Sequence, residues 1–208
     1  MKEITSLSEF EYGALKEIGN IGIGNSAVSL SRLVNSFVCT RVLDTRFGLI
    51  ENIPKIAGIS ESPMLGTLIC IKGDLNGYIL VFFPEISAKS LCISLSGEEG
   101  EKNLRDSVKL SLIEEVSHIL AGTYITSLAE FLKLNLSIST PYATYDMSDS
   151  IFNSVVTEMV YIADFALILD AEFIIKEKKI KGNILTLLDP KSLNLLLERI
   201  NSMIDKNP

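Results

Sequence analysis

The sequence has no apolar run long enough to cross a membrane. The stretches ILVFFP (79–84) and FALIL (165–169) have the length of strands, whereas a spanning helix needs about 20 apolar residues. The first residues, MKEITSLSEFEYG, also contain no apolar core of a signal peptide. We therefore expect a cytoplasmic protein without membrane insertion.

Cysteine, histidine and clustered basic residues are scarce as well. Cys39, Cys70 and Cys92 are far apart and odd in number, which is typical of reduced thiols rather than of a disulfide framework. His118 is the only histidine, and one imidazole cannot form a His-rich metal site by itself. The net charge of −7 and the lack of a dense Lys/Arg patch argue against nucleic acid as a partner.

The composition is that of a globular domain, because 47% of the 208 residues are apolar. Helical spacing of apolar residues predicts two long helices, over 7–34 and 104–133. Pro84 and Pro190 stand near the start of two further helices, at about 85–96 and 190–204. Strands are predicted at 38–45, 67–72, 78–83, 158–164, 165–175 and 183–188, with a hairpin turn at Asn76-Gly77.

Two halves of the chain resemble each other. Residues 17–35 align with 115–133, and 76–95 align with 181–200. The first pair of segments has identical residues at Glu17/Glu115, Ile21/Ile119, Gly24/Gly122, Ser29/Ser127 and Leu30/Leu128. Each half runs from a long helix through strands to a second helix. We therefore predict one α/β (α+β) domain over 1–208, in which half one (about 1–97) and half two (about 104–208) are related by pseudo-two-fold symmetry.

Glu17 and Asn20 form the first candidate site. Residues three apart share a helix face, so a carboxylate and an amide would lie side by side, while Ile18 and Ile21 would turn toward the core. An amide both donates and accepts hydrogen bonds, which suits it to holding a water molecule in one orientation. The carboxylate is suited to anchoring a cationic group of a partner. An ordinary solvated helix face gives the same pattern.

Ser111, Glu115 and His118 form a second candidate site on one face of the other long helix. A hydrolytic triad is disfavoured here, because three residues stacked on one helix rarely reach the geometry of nucleophile, base and orienting group. The sequence also contains no GxSxG motif. Glu115 and His118 alone are too few ligands for a metal.

The glycines of GNIGIGN (19–25) superficially resemble a phosphate-binding loop. Such a loop follows a strand and opens a helix, whereas the residues before Gly19 are polar and helical in pattern. We therefore expect Gly19, Gly22 and Gly24 to allow a bend or close helix packing, at some cost in helix propensity.

Three segments resemble the CheC/CheX/FliY family of chemotaxis phosphatases: LKEIGNIGIGNSA (15–27), ILAGTYITSLAEFL (119–132) and TPYATYDMSDSIF (140–152). Two motif helices in this order resemble a CheC-type member rather than single-site CheX. The resemblance implies a CheC-like fold and a phosphatase that hydrolyses the aspartyl phosphate of a chemotaxis response regulator, CheY-P.

The resemblance also implies roles for individual residues. The family motif is Asp or Ser, then Glu four residues later, then Asn three residues after that. By this resemblance Asn20 orients the attacking water and Glu17 pairs with a lysine of the regulator. The Mg²⁺ belongs to the regulator, so no cofactor or metal of this chain's own is implied. CheD is implied as a further partner, and we expect a monomer.

Each half departs from the family motif at one position. Gly13 stands where Asp or Ser is expected, and His118 stands where Asn is expected. We predict that Glu17 and Asn20 carry the reaction and that Ser111, Glu115 and His118 form a degenerate second site, although neutral imidazole also donates and accepts hydrogen bonds. The alternative is a non-catalytic binding module that holds the phosphorylated regulator or the CheD deamidase.

Overall fold

The first long helix is continuous through its glycines. The computed structural model describes residues 7–52, 61–96, 107–159, 165–175 and 178–202, and helix α1 spans Glu9–Val34. Ser8 caps it, because its hydroxyl accepts from the Glu11 amide while the Glu11 carboxylate accepts from the Ser8 amide. The helix ends at Asn35, whose φ of 46° is left-handed. The predicted helix at 7–34 is therefore confirmed to within two residues.

The remaining elements follow the predicted order with four additions. The other helices are α2 (Glu85–Ser96), α3 (Ser107–Leu132), α4 (Ser148–Met159) and α5 (Pro190–Asn201), with a short 3-10 helix at Ile50–Asn52. The strands are β1 (Val38–Leu49), β2 (Pro63–Gly73), β3 (Gly77–Pro84), β4 (Leu136–Ile138), β5 (Tyr142–Met147), β6 (Phe165–Ile175) and β7 (Lys178–Leu188). Strands β4 and β5, helix α4 and the 3-10 helix were not predicted.

The start of one predicted strand is wrong. Residues 158 and 159 of the strand expected at 158–164 end helix α4, and the rest of that range lies outside the described residues. Residues 158–164 taken alone have the composition of a strand. The apolar residues before them, Ile151, Phe152 and Val155, recur at helical spacing and are all buried. The predicted joint at 96–103 also lies outside the described residues after Ser96.

Within the described residues, seven antiparallel strands form one sheet in the order β1-β6-β7-β3-β2-β4, with β5 also paired to β2. The order is symmetric about the central pair, β7 and β3. In that pair Leu80 lies opposite Leu185, and these two residues are equivalent in the alignment of 76–95 with 181–200. A two-fold axis therefore passes between them, which confirms the predicted duplicated α/β (α+β) fold.

The long helices cover one face of this sheet. Successive residues of a strand point to opposite faces, so Ile79 and Val81 join the larger core beneath α1 and α3. Leu80 and Phe82 point the other way, where Phe82 meets Phe152 of α4 edge-to-face with ring centroids 5.3 Å apart. The two motif helices thus lie side by side on the same face. Among the described residues, no helix is long and apolar enough to span a membrane.

Candidate functional site

The outward face of α1 carries the first candidate site. Glu17 and Asn20 are both exposed, while Leu15, Ile18 and Ile23 are buried in the core beneath the helix. Neither Glu17 nor Asn20 hydrogen-bonds through its side chain to any residue in the described part of the chain. Both groups therefore face solvent from a continuous helix, as expected for contact with another macromolecule.

One expectation for this helix was wrong. Ile21 was expected in the core beside Ile18, yet it is exposed. Ile21 lies four residues after Glu17 and therefore shares the outward face with that carboxylate. The inward face is occupied by Ile18, Gly22 and Ile23 instead.

Two glycines determine how closely α1 packs against α3 and β6. A Cβ on Gly22 would lie 2.7 Å from the Tyr124 Cα of α3, and one on Gly19 would lie 3.0 Å from Leu169 of β6. These two glycines allow the close packing that the sequence predicts. At Gly24 the same expectation was wrong, because α1 is continuous there and an added Cβ, as at Gly13, would meet no described atom of another element within 4 Å. The contacts at Gly19 and Gly22 fix the rotation of α1 and thereby aim Glu17 and Asn20 outward.

The second candidate site lies on α3 and is partly covered. Ser111 and Glu115 are exposed as expected, but His118 is only half-exposed. One turn before it, Glu114 Oε1 accepts a hydrogen bond of 3.0 Å from the Ala143 amide of β5. One turn after it, a Cβ on Gly122 would lie 3.7 Å from Ile138 Cδ1 of β4. The segment 138–143 therefore runs beside His118.

A second contact holds this covering segment in place. The Tyr145 hydroxyl of β5 donates to Glu85 Oε1 of α2 at 3.0 Å, and Lys89 forms an ion pair with the same oxygen at 2.7 Å. The hydrogen bonds from Lys89 and from Tyr145 hold the pKa of Glu85 below its ordinary value. Glu85 and Glu114 therefore fasten β5 to both neighbouring helices.

The same positions on α1 are open. Lys16, Asn20 and Gly24 correspond to Glu114, His118 and Gly122 in the repeat, and all three are exposed. Sequence reasoning missed Glu114, because a glutamate beside Glu115 gives no local sign of a strand that pairs far along the chain. Ser111, Glu115 and His118 make no side-chain hydrogen bonds to one another.

The described residues contain no cluster of three His, Cys, Asp or Glu side chains that could hold a metal ion. What the two helices offer is a pair of similar polar faces, one open and one half-covered. The open face combines an anionic oxygen with an amide that both donates and accepts. Such a face is suited to a folded partner, because it projects from the surface and does not enclose a small molecule.

Comparison with known proteins gives this face a context. No protein-family model matches the chain. The chain is 24% identical over 209 residues to the "CheY-P phosphatase CheC" of Bacillus subtilis (strain 168), covering 98% of this chain and 100% of that protein. It is 28% identical over 144 residues to the "Flagellar motor switch phosphatase FliY" of the same organism, covering 67% of this chain and 36% of FliY.

A solved structure has the same fold. The crystal structure of Thermotoga maritima FliY matches with a TM-score of 0.72 and 22% identity, covering 94% of this chain and 98% of that chain. The similarity in sequence to CheC runs through both motif helices, because it spans nearly the whole chain. The chain is therefore similar, over nearly its whole length, to proteins of the CheC/CheX/FliY family and shares their fold.

Proposed function

We propose that this protein hydrolyses the aspartyl phosphate of a CheY-type response regulator. The observation that carries the proposal is the open face of α1, where Glu17 and Asn20 are exposed on a helix that is fixed from behind. The full-length similarity to a protein named CheY-P phosphatase CheC supports the choice of substrate. A folded protein substrate agrees with a site that projects into solvent.

The proposed chemistry relies on positioning. Hydrolysis forms a bond between phosphorus and the oxygen of water, and it breaks the bond between phosphorus and the aspartate oxygen of the regulator. The products are inorganic phosphate and the free aspartate carboxylate. Phosphoryl transfer is catalysed mainly by orientation and charge stabilisation, and an amide that orients water serves this purpose in GTPases. Asn20 has this role in our proposal, and the Mg²⁺ is supplied by the regulator.

Glu17 is assigned to recognition. A carboxylate one turn before Asn20 would pair with a lysine of the regulator as the complex forms. Charge pairs at an interface act on association before any chemistry begins. Glu17 therefore contributes to affinity and to the alignment of Asn20 with the phosphoryl group.

The proposal is tested by the decay of a phosphorylated CheY-type regulator from the same organism, with and without this protein. We expect the protein to accelerate release of inorganic phosphate at substoichiometric concentration. Binding without acceleration would contradict the enzyme and support the alternative, a module that only holds the regulator. A pull-down with CheD tests separately whether that protein binds.

A further inference from the structure

A row of exposed apolar side chains runs along α1 beside Glu17. Phe10 is 44% exposed, Ile21 is 40% exposed and Val28 is 59% exposed. Steps of about 3.6 residues per turn bring residues 10, 17, 21 and 28 onto one line along the helix. Phe10, Ile21 and Val28 form a row that is here called the apolar row of Phe10, Ile21 and Val28. The Glu17 carboxylate lies within this row, and Asn20 lies beside it on the neighbouring line of the helix.

The other motif helix does not repeat this row. The positions on α3 that correspond to Phe10, Ile21 and Val28 are Val108, Ile119 and Thr126. Val108 is 64% exposed, but Ile119 is half-buried and the exposed Thr126 is polar. The duplication of the fold therefore does not account for the apolar row, because only the open site has it in full.

The size and charge of the row indicate its occupant. From Phe10 to Val28 the helix rises about 27 Å, and a helix surface about 10 Å wide gives roughly 300 Å² of contact. Stable interfaces bury about 800 Å² on each partner, so a contact of this size fits a transient encounter. A second copy of the chain would bring a further net charge of −7 against Glu17, which opposes self-association.

We propose that the apolar row of Phe10, Ile21 and Val28 docks the response regulator and sets its affinity for this site. The inference rests on the proposed function, since the occupant is the regulator on which Asn20 acts. The partner surface that fits is an apolar patch beside the cation that pairs with Glu17. Exposed apolar side chains next to a charge-pairing residue supply affinity, whereas the charge sets orientation.

The test separates docking from chemistry. Ile21→Ser and Val28→Thr, alone and combined, are assayed for KM and kcat in regulator dephosphorylation. Their Kd is measured for the regulator held in its phosphorylated-like state by beryllium fluoride. Val28→Thr places on α1 the residue that α3 has at the corresponding position. We expect KM and Kd to rise about fivefold for each substitution and about twentyfold for both, with kcat unchanged, because half-exposed aliphatic groups contribute to complex formation only.

A matched control comes from α2. Ile86 is 81% exposed and lies on a different helix, so Ile86→Ser should leave KM, kcat and Kd unchanged. A double variant with the Kd and KM of the unaltered protein would contradict the proposal that this row docks the regulator. A fall in kcat at constant KM would contradict it as well. If the unaltered protein binds the regulator but does not hydrolyse its phosphate, the enzyme proposal fails. The Kd values of the variants then still show whether the apolar row docks the regulator. An unaltered protein that does not bind the regulator overturns both.

Discussion

Helices α1 and α3 occupy equivalent places in a duplicated fold, yet they present different surfaces. On α1 the positions of Lys16, Asn20 and Gly24 are all exposed. On α3 the corresponding positions are half-exposed, because the segment 138–143 runs beside them and contacts α3 at Glu114 and Gly122. Two helices in equivalent places of the duplicated fold therefore have one open face and one partly covered face.

The difference indicates how two similar sites diverge. The half-covered face is also the one in which an imidazole replaces the amide at the motif position. On α3 the motif position has no amide and is only half-exposed. On α1 the Asn20 amide is exposed and lies beside the apolar row of Phe10, Ile21 and Val28. In the proposed function, the face of α1 meets the regulator, while the face of α3 is partly occupied by contacts within the protein.

The largest expected effect is on the rate at α1. Asn20→Ala should lower regulator dephosphorylation about 100-fold, because a group that positions the attacking water acts in the transition state. Its Kd for the regulator should stay within about twofold. His118→Ala should leave the rate within about twofold of the unaltered protein. Measurement of phosphate release and binding for both variants checks this, and a dead His118→Ala beside an active Asn20→Ala would invert the assignment.

A smaller but still large effect is expected where the two helices touch. Gly22→Ala places a methyl 2.7 Å from the Tyr124 Cα, and a backbone atom cannot move aside cheaply. We expect it to lower the free energy of unfolding by about 2–3 kcal/mol. Gly24→Ala is the matched control, since its Cβ meets no described atom within 4 Å and should raise that free energy by about 0.5–1 kcal/mol. Urea unfolding measures both, and equal effects would contradict close packing at Gly22.

A single substitution should loosen the segment 138–143 that partly covers His118 on α3. Glu114→Ala deletes the acceptor for the Ala143 amide, so the segment 138–143 should open more often. His118 is the only histidine, so its reaction with diethylpyrocarbonate can be followed at the imidazole without a signal from a second histidine. We expect that rate to rise about threefold, a measure of local opening. Glu130→Ala, an exposed change on the same helix, serves as the control, and an equal rise there would contradict a local cover.

The smallest expected effect depends on pH. The pKa of Glu85 is lowered by its hydrogen bonds from Lys89 and Tyr145, so the stabilisation is present above the ordinary carboxyl pKa and is lost as pH falls through the lowered value. The protection of the β5 amides, measured as their exchange rate relative to the intrinsic rate at the same pH, should therefore fall on acidification. Glu85→Gln should weaken this acid dependence. An unchanged dependence in that variant would show that Glu85 does not fasten β5.

The sequence predicted what depends on local spacing. The lengths of α1 and α3, the exposure of Glu17 and Asn20, and the packing role of Gly19 and Gly22 all follow from helical periodicity and residue size. The burial expected for Ile21 was wrong, because an isoleucine beside a polar residue reads as core unless the rotation of the helix is known. Close contacts at Gly19 and Gly22 set that rotation.

The cover over His118 could not be predicted in the same way. It depends on β5 pairing with β2 and on Glu114 reaching the Ala143 amide, and both contacts join residues far apart in sequence. The strands β4 and β5 are short and mostly exposed, so their apolar pattern is weak. Their positions follow from tertiary pairing and not from local propensity.

The central claim, that α1 and not α3 meets the regulator, is tested most directly by NMR. The side-chain amide of Asn20 and the imidazole of His118 give assignable signals, and the second is unique because the chain has one histidine. On addition of regulator activated with beryllium fluoride, we predict that the Asn20 signal shifts or broadens while the His118 signal stays unchanged. A shift of the His118 imidazole with an unchanged Asn20 amide would contradict the claim.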